Sequence, residues 1–409
     1  MIDTDRLDDL ARRLAARRLS RRSALRGLGG TGLAAVGARL PRSVAAQEAT
    51  PAVTPAGSPS VRRDARTLSP AERQAYAAAI LAIKEKPSPW AMGLSVYDTF
   101  VLWHRDAFNC DINAAHMGPA FLPWHRQFLL LFEQQLRAVD PTITLPYWDW
   151  TVDNTPDSYV WGDDFMGGNG DPAQGYVVTT GPFAVGKWTI KVFDYNDTIQ
   201  NPSLIRDFGG GSMAPDLPTT NDVEQALSVA TYDAAPWNAS SPVDQSFRNT
   251  LEGWRDCGQD ICDPLVGMGV TCTGSHDLHN RVHLWVSGEF QFSHQLAHDG
   301  MGSSPAATPA ATPASGEPAS PESSPEIFGT MAANSSLNDP VFWLHHANVD
   351  RLWNEWLHRH GQTYLPVTGG PFGHNLNDPM WPYQQIGLTA TPAMMLDSRA
   401  LGYVYDTDK

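Results

Sequence analysis

The chain has 409 residues, 42% of them hydrophobic, and a formal net charge of −15 at pH 7. That length supports a large buried core in roughly one to three domains. The acidic balance argues against nucleic acid or an anionic membrane surface as a partner, since both repel a protein of their own sign. Charge is unevenly placed. Residues 1–46 hold ten arginines against four aspartates, a surplus of six positive charges, so the remainder carries −21. Within that basic stretch Ser20-Arg21-Arg22-Ser23-Ala24-Leu25-Arg26 is a twin-arginine pattern. The weakly apolar run Leu28–Val36 follows, then small residues at Ser43-Val44-Ala45-Ala46 where a signal peptidase would cut. An arginine-rich amphipathic helix is the plainer alternative, because Arg12, Arg13, Arg17 and Arg18 come first. The order of arginine pair, apolar run and cleavable site favours a twin-arginine signal peptide over residues 1–46. The expected destination is the periplasm, the cell surface or the medium. No other stretch approaches the roughly 20 apolar residues of a membrane span.

Gln47–Thr67, with its Thr-Pro-Ala and Ser-Pro repeats, predicts a disordered linker over residues 47–67, and the folded domain is expected over 68–409. Ser69, Pro70 and Glu72 form a helix start, with Ser69 as N-cap, Pro70 at the first helical position and Glu72 completing a capping box. Helix then continues through Gln74–Lys84. Tyr97, Phe100, Val101, His104 and Phe108 lie on one helical stripe. Pro123 is expected to open another helix, carrying His125, Leu129 and Phe132. Residues between Asp149 and Asn238 are rich in Gly, Pro, Asp and Asn and predict irregular loops. His279 and His283, four apart, share one helix face. Ser303–Pro325 repeats Ala-Thr-Pro and Ser-Pro units and predicts a low-complexity surface loop inserted near 303–325. Val341–His360 predicts a long helix bearing His346, Asp350 and Trp353. Several of the fourteen tryptophans (Trp103, Trp124, Trp343, Trp353) stand beside these histidines and are expected to pack the core. The fold class is mainly α, with a four-helix bundle, long irregular loops and a few short strands.

Two histidine blocks stand out. One holds His104, His116 and His125, the last within Phe121-Leu122-Pro123-Trp124-His125-Arg126. The other opens at His279-Asn280-Arg281-Val282-His283 and closes with Asn338-Asp339-Pro340-Val341-Phe342-Trp343-Leu344-His345-His346-Ala347-Asn348-Val349-Asp350-Arg351. Neutral imidazole binds copper and zinc well, and two clusters of three point to two adjacent ions. A helical bundle with inward-facing ligands is an established frame for such a pair. A single histidine on an apolar helix face is more often a core residue than a ligand. A zinc protease would need Glu directly after the first histidine of the pair, and Asn280 stands there. Adjacent helical residues point about 100° apart, so His345 and His346 cannot both face one ion in a regular helix. Asp350, one turn beyond His346, is placed to orient it or a neighbouring ligand. One of the two adjacent histidines is therefore left to packing or hydrogen bonding around the ligands. His276, His358, His360 and His374 are read as ordinary histidines, and His294 and His298, with Met301, as solvated loop residues. Cys110, Cys257, Cys262 and Cys272 allow three full pairings. Cys257-x4-Cys262 lacks a second pair at zinc-finger spacing.

The wording of both histidine blocks resembles the tyrosinase family of type 3 dicopper proteins, bacterial and streptomycete-type members above all. Phe121–Glu133, Leu145-Pro146-Tyr147-Trp148-Asp149-Trp150, Phe247-Arg248-Asn249-x-Leu251-Glu252-Gly253-Trp254 and Asp339–Trp356 match its pattern in order, across essentially the whole domain. The resemblance implies two copper ions per chain, with His104, His116 and His125 as ligands of copper A and His279, His283 and His346 as those of copper B. It takes the second of the adjacent histidines as ligand, which assigns His345 to packing or hydrogen bonding around the ligands. Where some fungal and plant members carry a thioether-linked cysteine, this chain has Ala114. The loop before His116 is also shorter than in close relatives. The activity implied is O2-dependent ortho-hydroxylation of monophenols and oxidation of o-diphenols to o-quinones. Glu252 and Asn280 occupy the positions of the pair that holds a water as base for the phenol proton. A narrower catechol or o-aminophenol oxidase is the first alternative. A hemocyanin-like oxygen carrier is the second, disfavoured because no shielding domain follows Leu396–Tyr405. The partners implied are a small phenol and O2. Some streptomycete members leave the cell with a caddie protein that delivers copper, so a copper chaperone enters as a possible partner.

Overall fold

A computed structural model of the chain describes residues 58–108, 114–194, 200–211, 214–254, 278–288 and 329–408. The twin-arginine segment, the start of the linker, the 303–325 insertion, the four cysteines and His276, His294 and His298 lie outside these residues.

The described part is dominated by helices. In chain order they are α1 (Pro70–Glu85), α2 (Val96–Phe108), α3 (Phe121–Arg137), α4 (Thr220–Ser228), α5 (Phe247–Glu252), α6 (Leu278–Ser287) and α7 (Val341–His360). Four short strands accompany them. β1 (Ser60–Arg62) pairs in parallel with β4 (Tyr403–Tyr405), and β2 (Gly170–Asp171) pairs antiparallel with β3 (Val177–Val178). Among the described residues no helix is long and apolar enough to cross a membrane.

Local chemistry accounts for several boundaries. The N–H of Ser69 donates to the Glu72 carboxylate at 2.8 Å, and the N–H of Glu72 donates back to the Ser69 hydroxyl, so the expected capping box starts α1 with Pro70 at its first position. Helix α7 has the expected bounds and ends on Gly361 at φ 85°. Helix α3 starts two residues before the expected Pro123, which sits in the first turn, where a missing N–H breaks no intrahelical bond. Helix α4 interrupts the region expected to be irregular. Its own signal was a second capping box, Thr219 with Asp222.

The core forms around α3 and α7, with α2 and α6 packed on either side. The Phe132 and Trp343 rings stack face to face with centroids 3.5 Å apart, and Phe100 meets Phe128, Phe132 and Trp343 edge-on. The four tryptophans expected in the core are all buried.

The expected linker boundary at residue 67 requires correction. Ser60–Arg62 is a strand, and Arg62 is fully buried. Its guanidinium donates to Glu133 at 2.7 Å and to Asp350 at 3.2 Å. Asp350 also accepts from Arg126 Nε at 2.6 Å and from the Tyr403 and Tyr405 hydroxyls at 2.7 and 2.6 Å. Composition marks this stretch as linker, but its partners come from α3, α7 and β4.

Candidate metal centre

Each histidine reaches the site by a different local device. The apolar stripe of α2 packs Tyr97, Phe100 and Val101 into the core and so carries His104 inward. Its Nδ1 lies 2.7 Å from the Asn334 carbonyl. His125, one turn into α3, places its Nδ1 2.8 Å from the Phe121 carbonyl of its own helix. A ring nitrogen that donates to a carbonyl carries the proton, which leaves Nε2 with its lone pair free for a metal. Both of those Nε2 atoms are buried without a hydrogen-bond partner. His116 comes from the loop between α2 and α3. Its ring lies 4.8 Å from that of His104 and 5.0 Å from that of His125, and the donor atoms of the three fall within 4.8 Å of one another.

The second set is tighter. His279 and His283 project from one face of α6, and His346 comes from α7. Their Nε2 atoms converge: 3.1 Å between His279 and His283, 3.2 Å between His279 and His346, 3.4 Å between His283 and His346. His283 Nδ1 faces the Met331 carbonyl at 2.6 Å, and His279 Nδ1 faces the Asn280 Oδ1 at 2.9 Å and the Glu252 carbonyl at 3.2 Å. Imidazole nitrogens sit about 2 Å from a first-row metal ion, so three on one ion lie roughly 3.3–3.5 Å apart. The observed triangle has nearly that size. Lone pairs turned together at such distances repel one another, and a shared cation turns the repulsion into attraction. The residues therefore fit a metal. The His346 ring stacks on His125, with centroids 4.3 Å apart at 19°, so the two sets are neighbours.

Burial keeps these imidazoles neutral. It pushes His104 down to about 3 and His283 down to about 4, and it lowers the other four well below the ordinary histidine value. Neutral rings are the form that binds metal.

His345 belongs to the same buried cluster, and its ring packs on His279, with centroids 5.1 Å apart at 17°. No side chain hydrogen-bonds its ring nitrogens, and its contact with the ligand set is ring packing. Asp350 does not orient a histidine. Both of its oxygens are taken by the Arg62, Arg126, Tyr403 and Tyr405 cluster, and His346 Nδ1 has no partner. The spacing of one helical turn was right, but the carboxylate is drawn to the cations behind α7.

A cleft above the histidines is lined by His104, His116, Trp254, Asn280, His283 and Met331, among others. Glu252, the last residue of α5, sits behind that lining. Its Oε1 accepts the Met117 N–H at 2.6 Å and its Oε2 accepts from Arg248 at 3.0 Å. Burial pushes the Glu252 carboxyl up, against the opposing pull of Arg248. Arg248 is itself fixed by Asp233 at 2.9 Å. Sequence reasoning did not single out Arg248, although the motif beginning at Phe247 contained it. It also passed over Tyr232 and His374, which carry no local signal.

The common central domain of tyrosinase matches residues 94–359. The chain belongs to the tyrosinase family. It is 37% identical over 356 residues to a tyrosinase of Streptomyces glaucescens, covering 85% of this chain and all of the relative. It is 33% identical over 371 residues to the grixazone synthase of Streptomyces griseus, covering 85% of this chain and 99% of that one. The fold is shared with the pro-tyrosinase of Aspergillus oryzae, at a TM-score of 0.50 and 16% identity over 86% of this chain and 71% of the other. The protein is thus a type 3 copper phenol oxidase with a dinuclear copper site, and the oxygen-carrier alternative is not favoured.

Proposed function

We propose that the enzyme ortho-hydroxylates monophenols and oxidises o-diphenols to o-quinones at the joined histidine sets. His104, His116 and His125 would hold one copper ion and His279, His283 and His346 the other. The observation that carries this reading is the convergence of both sets beneath one cleft. When bound, the copper pair would bind and activate O2, which is the oxidant. The protein supplies the rest. The imidazoles are neutral and buried, and in His104, His125, His279 and His283 the Nδ1 faces an oxygen acceptor, which leaves Nε2 free for a metal. Trp254 and Asn280 line the cleft above the histidines, where a phenol would bind.

A phenol near its ordinary value of about 10 must give up a proton before its ring is oxygenated. Glu252 and Asn280 would hold a water that takes it. An ionised carboxylate has about four acceptor positions, so the bonds from Met117 and Arg248 leave room for a water, and burial makes Glu252 a stronger base than an exposed glutamate. The Asn280 Oδ1 faces His279, which leaves its NH2 to donate to that water. In Glu252→Gln and Asn280→Ala, monophenol hydroxylation is expected to fall at least tenfold more than diphenol oxidation, because a diphenol is the stronger acid. An equal fall in both activities would make these residues structural only.

The grixazone synthase relative supports a second reading, oxidation of an o-aminophenol. Oxygen uptake with tyrosine, catechol and o-aminophenol, compared on copper-loaded enzyme, separates the two. Export is proposed to follow the twin-arginine route, on the pattern Ser20–Arg26 and its basic surroundings. Arg21→Lys with Arg22→Lys is expected to leave active enzyme in the cytoplasm, and unchanged secretion would refute the assignment. Full activity from this chain expressed alone in copper-supplemented cells would argue against a dedicated copper chaperone.

A further inference from the structure

We propose that His374 is a positioning residue for His116, acting through the backbone of the loop from His116 to Ala120. His116 is the one proposed ligand that no helix holds. Its neighbour Met117 has φ 56°, a left-handed conformation that costs a residue with a side chain and persists only when its surroundings enforce it. Three buried side chains do so. Glu252 accepts the Met117 N–H at 2.6 Å, the Tyr232 hydroxyl donates to the Pro119 carbonyl at 2.6 Å, and His374 Nδ1 accepts the Ala120 N–H at 3.1 Å.

The His374 ring also fills the space that a side chain at position 118 would take. A Cβ on Gly118 would lie 2.7 Å from its Cε1 and 2.8 Å from its Nδ1. The ring is buried and its backbone is fixed, because the Tyr364 hydroxyl donates to the His374 carbonyl at 2.8 Å and the His374 N–H donates to Pro371 at 3.1 Å. The Tyr364 ring in turn rests on Tyr232, with centroids 4.6 Å apart. Tyr232, Tyr364 and His374 thus form one block against which the loop is moulded. Since Nδ1 accepts from Ala120, the ring proton resides on Nε2. The segment containing His374 contributes no proposed copper ligand, and the contact it makes toward the metal is with the loop that carries His116.

This inference rests on reading His116 as a copper ligand, and its test separates the two. In His374→Asn an amide oxygen would stand where the imidazole presents Nδ1, so that variant retains the acceptor, whereas His374→Ala removes it. In the metal-free full-length protein, His374→Ala is expected to raise hydrogen exchange at the Ala120 amide at least tenfold, while His374→Asn stays near the wild-type rate. In copper-loaded protein, His374→Ala is expected to lose one of two ions to a chelator at least tenfold faster, with the second leaving at the wild-type rate, and His374→Asn is expected to restore retention. If the alanine variant does not fold, Gly118→Ala, which pushes on the same ring, must show the same selective loss. Unchanged exchange at Ala120, or equal acceleration for both ions, would overturn the proposal. One copper per chain in the unmutated enzyme would instead overturn the ligand reading, and the exchange result on metal-free protein would stand apart from it.

Discussion

His346→Ala is expected to lower bound copper from two ions per chain to one and to abolish phenol oxidation, whereas His345→Ala keeps the second ion with weakened affinity. The two neighbours differ in direction. His346 points its Nε2 at those of His279 and His283, 3.2 and 3.4 Å away, and removing it leaves two donors where three converge. His345 points about 100° away along the helix and lies flat on the His279 ring. Losing that support loosens a ligand without deleting one, an effect of roughly 10–100-fold in affinity by analogy with residues that orient ligands. Elemental analysis of dialysed protein decides between them. The opposite order, with His345→Ala losing an ion and His346→Ala keeping both, would exchange their roles.

Asp350→Ala is expected to cost about 3–5 kcal/mol of stability, because it leaves the Arg62 and Arg126 charges buried without their shared partner. Burial alone would raise the Asp350 carboxyl, but Arg126 and Arg62 outweigh it and hold it below the usual carboxylate range. Its contribution is therefore complete above the unfolded value of about 3.9 and is lost as the pH falls through the lower folded value. Denaturant melts of the metal-free protein measure the cost. Copper stoichiometry in the surviving folded fraction should remain two. If Asp350→Ala melts like the wild type but sheds an ion, the carboxylate orients a ligand after all, as its spacing from His346 had implied.

That contrast shows what a sequence can and cannot display here. Periodicity placed His104 on the inner stripe of α2, put His279 and His283 on one face, and bounded α7 at Val341 and His360. The Ser69 capping box announced α1. Each of these signals lies within a few residues of what it specifies. Asp350 was placed correctly on α7, but its cations are Arg126 and Arg62, the latter 288 residues earlier. Arg62 looked like linker for the same reason, since nothing near it in sequence reveals that it pairs with Glu133 and Asp350. His374 reads as an ordinary histidine because the N–H it accepts belongs to Ala120, 254 positions away. Helix α4 is the exception, because its capping box was local and the surrounding Gly, Pro and Asn masked it.

The pairing of β1 with β4 sets a timetable for the growing chain. Arg62 leaves the ribosome 343 residues before Tyr405, whose hydroxyl it contacts in the finished protein. Until Tyr403 and Tyr405 emerge, Arg62 and Asp350 have Glu133, Arg126 and each other as partners but lack the two hydroxyls, and the helices that carry the histidines are all synthesised in the meantime. Closure of so long a loop is entropically late and slow. β4 would therefore close late, and a chain released before Tyr403 would have its histidine-bearing helices complete but would leave Arg62 and Asp350 without the Tyr403 and Tyr405 hydroxyls.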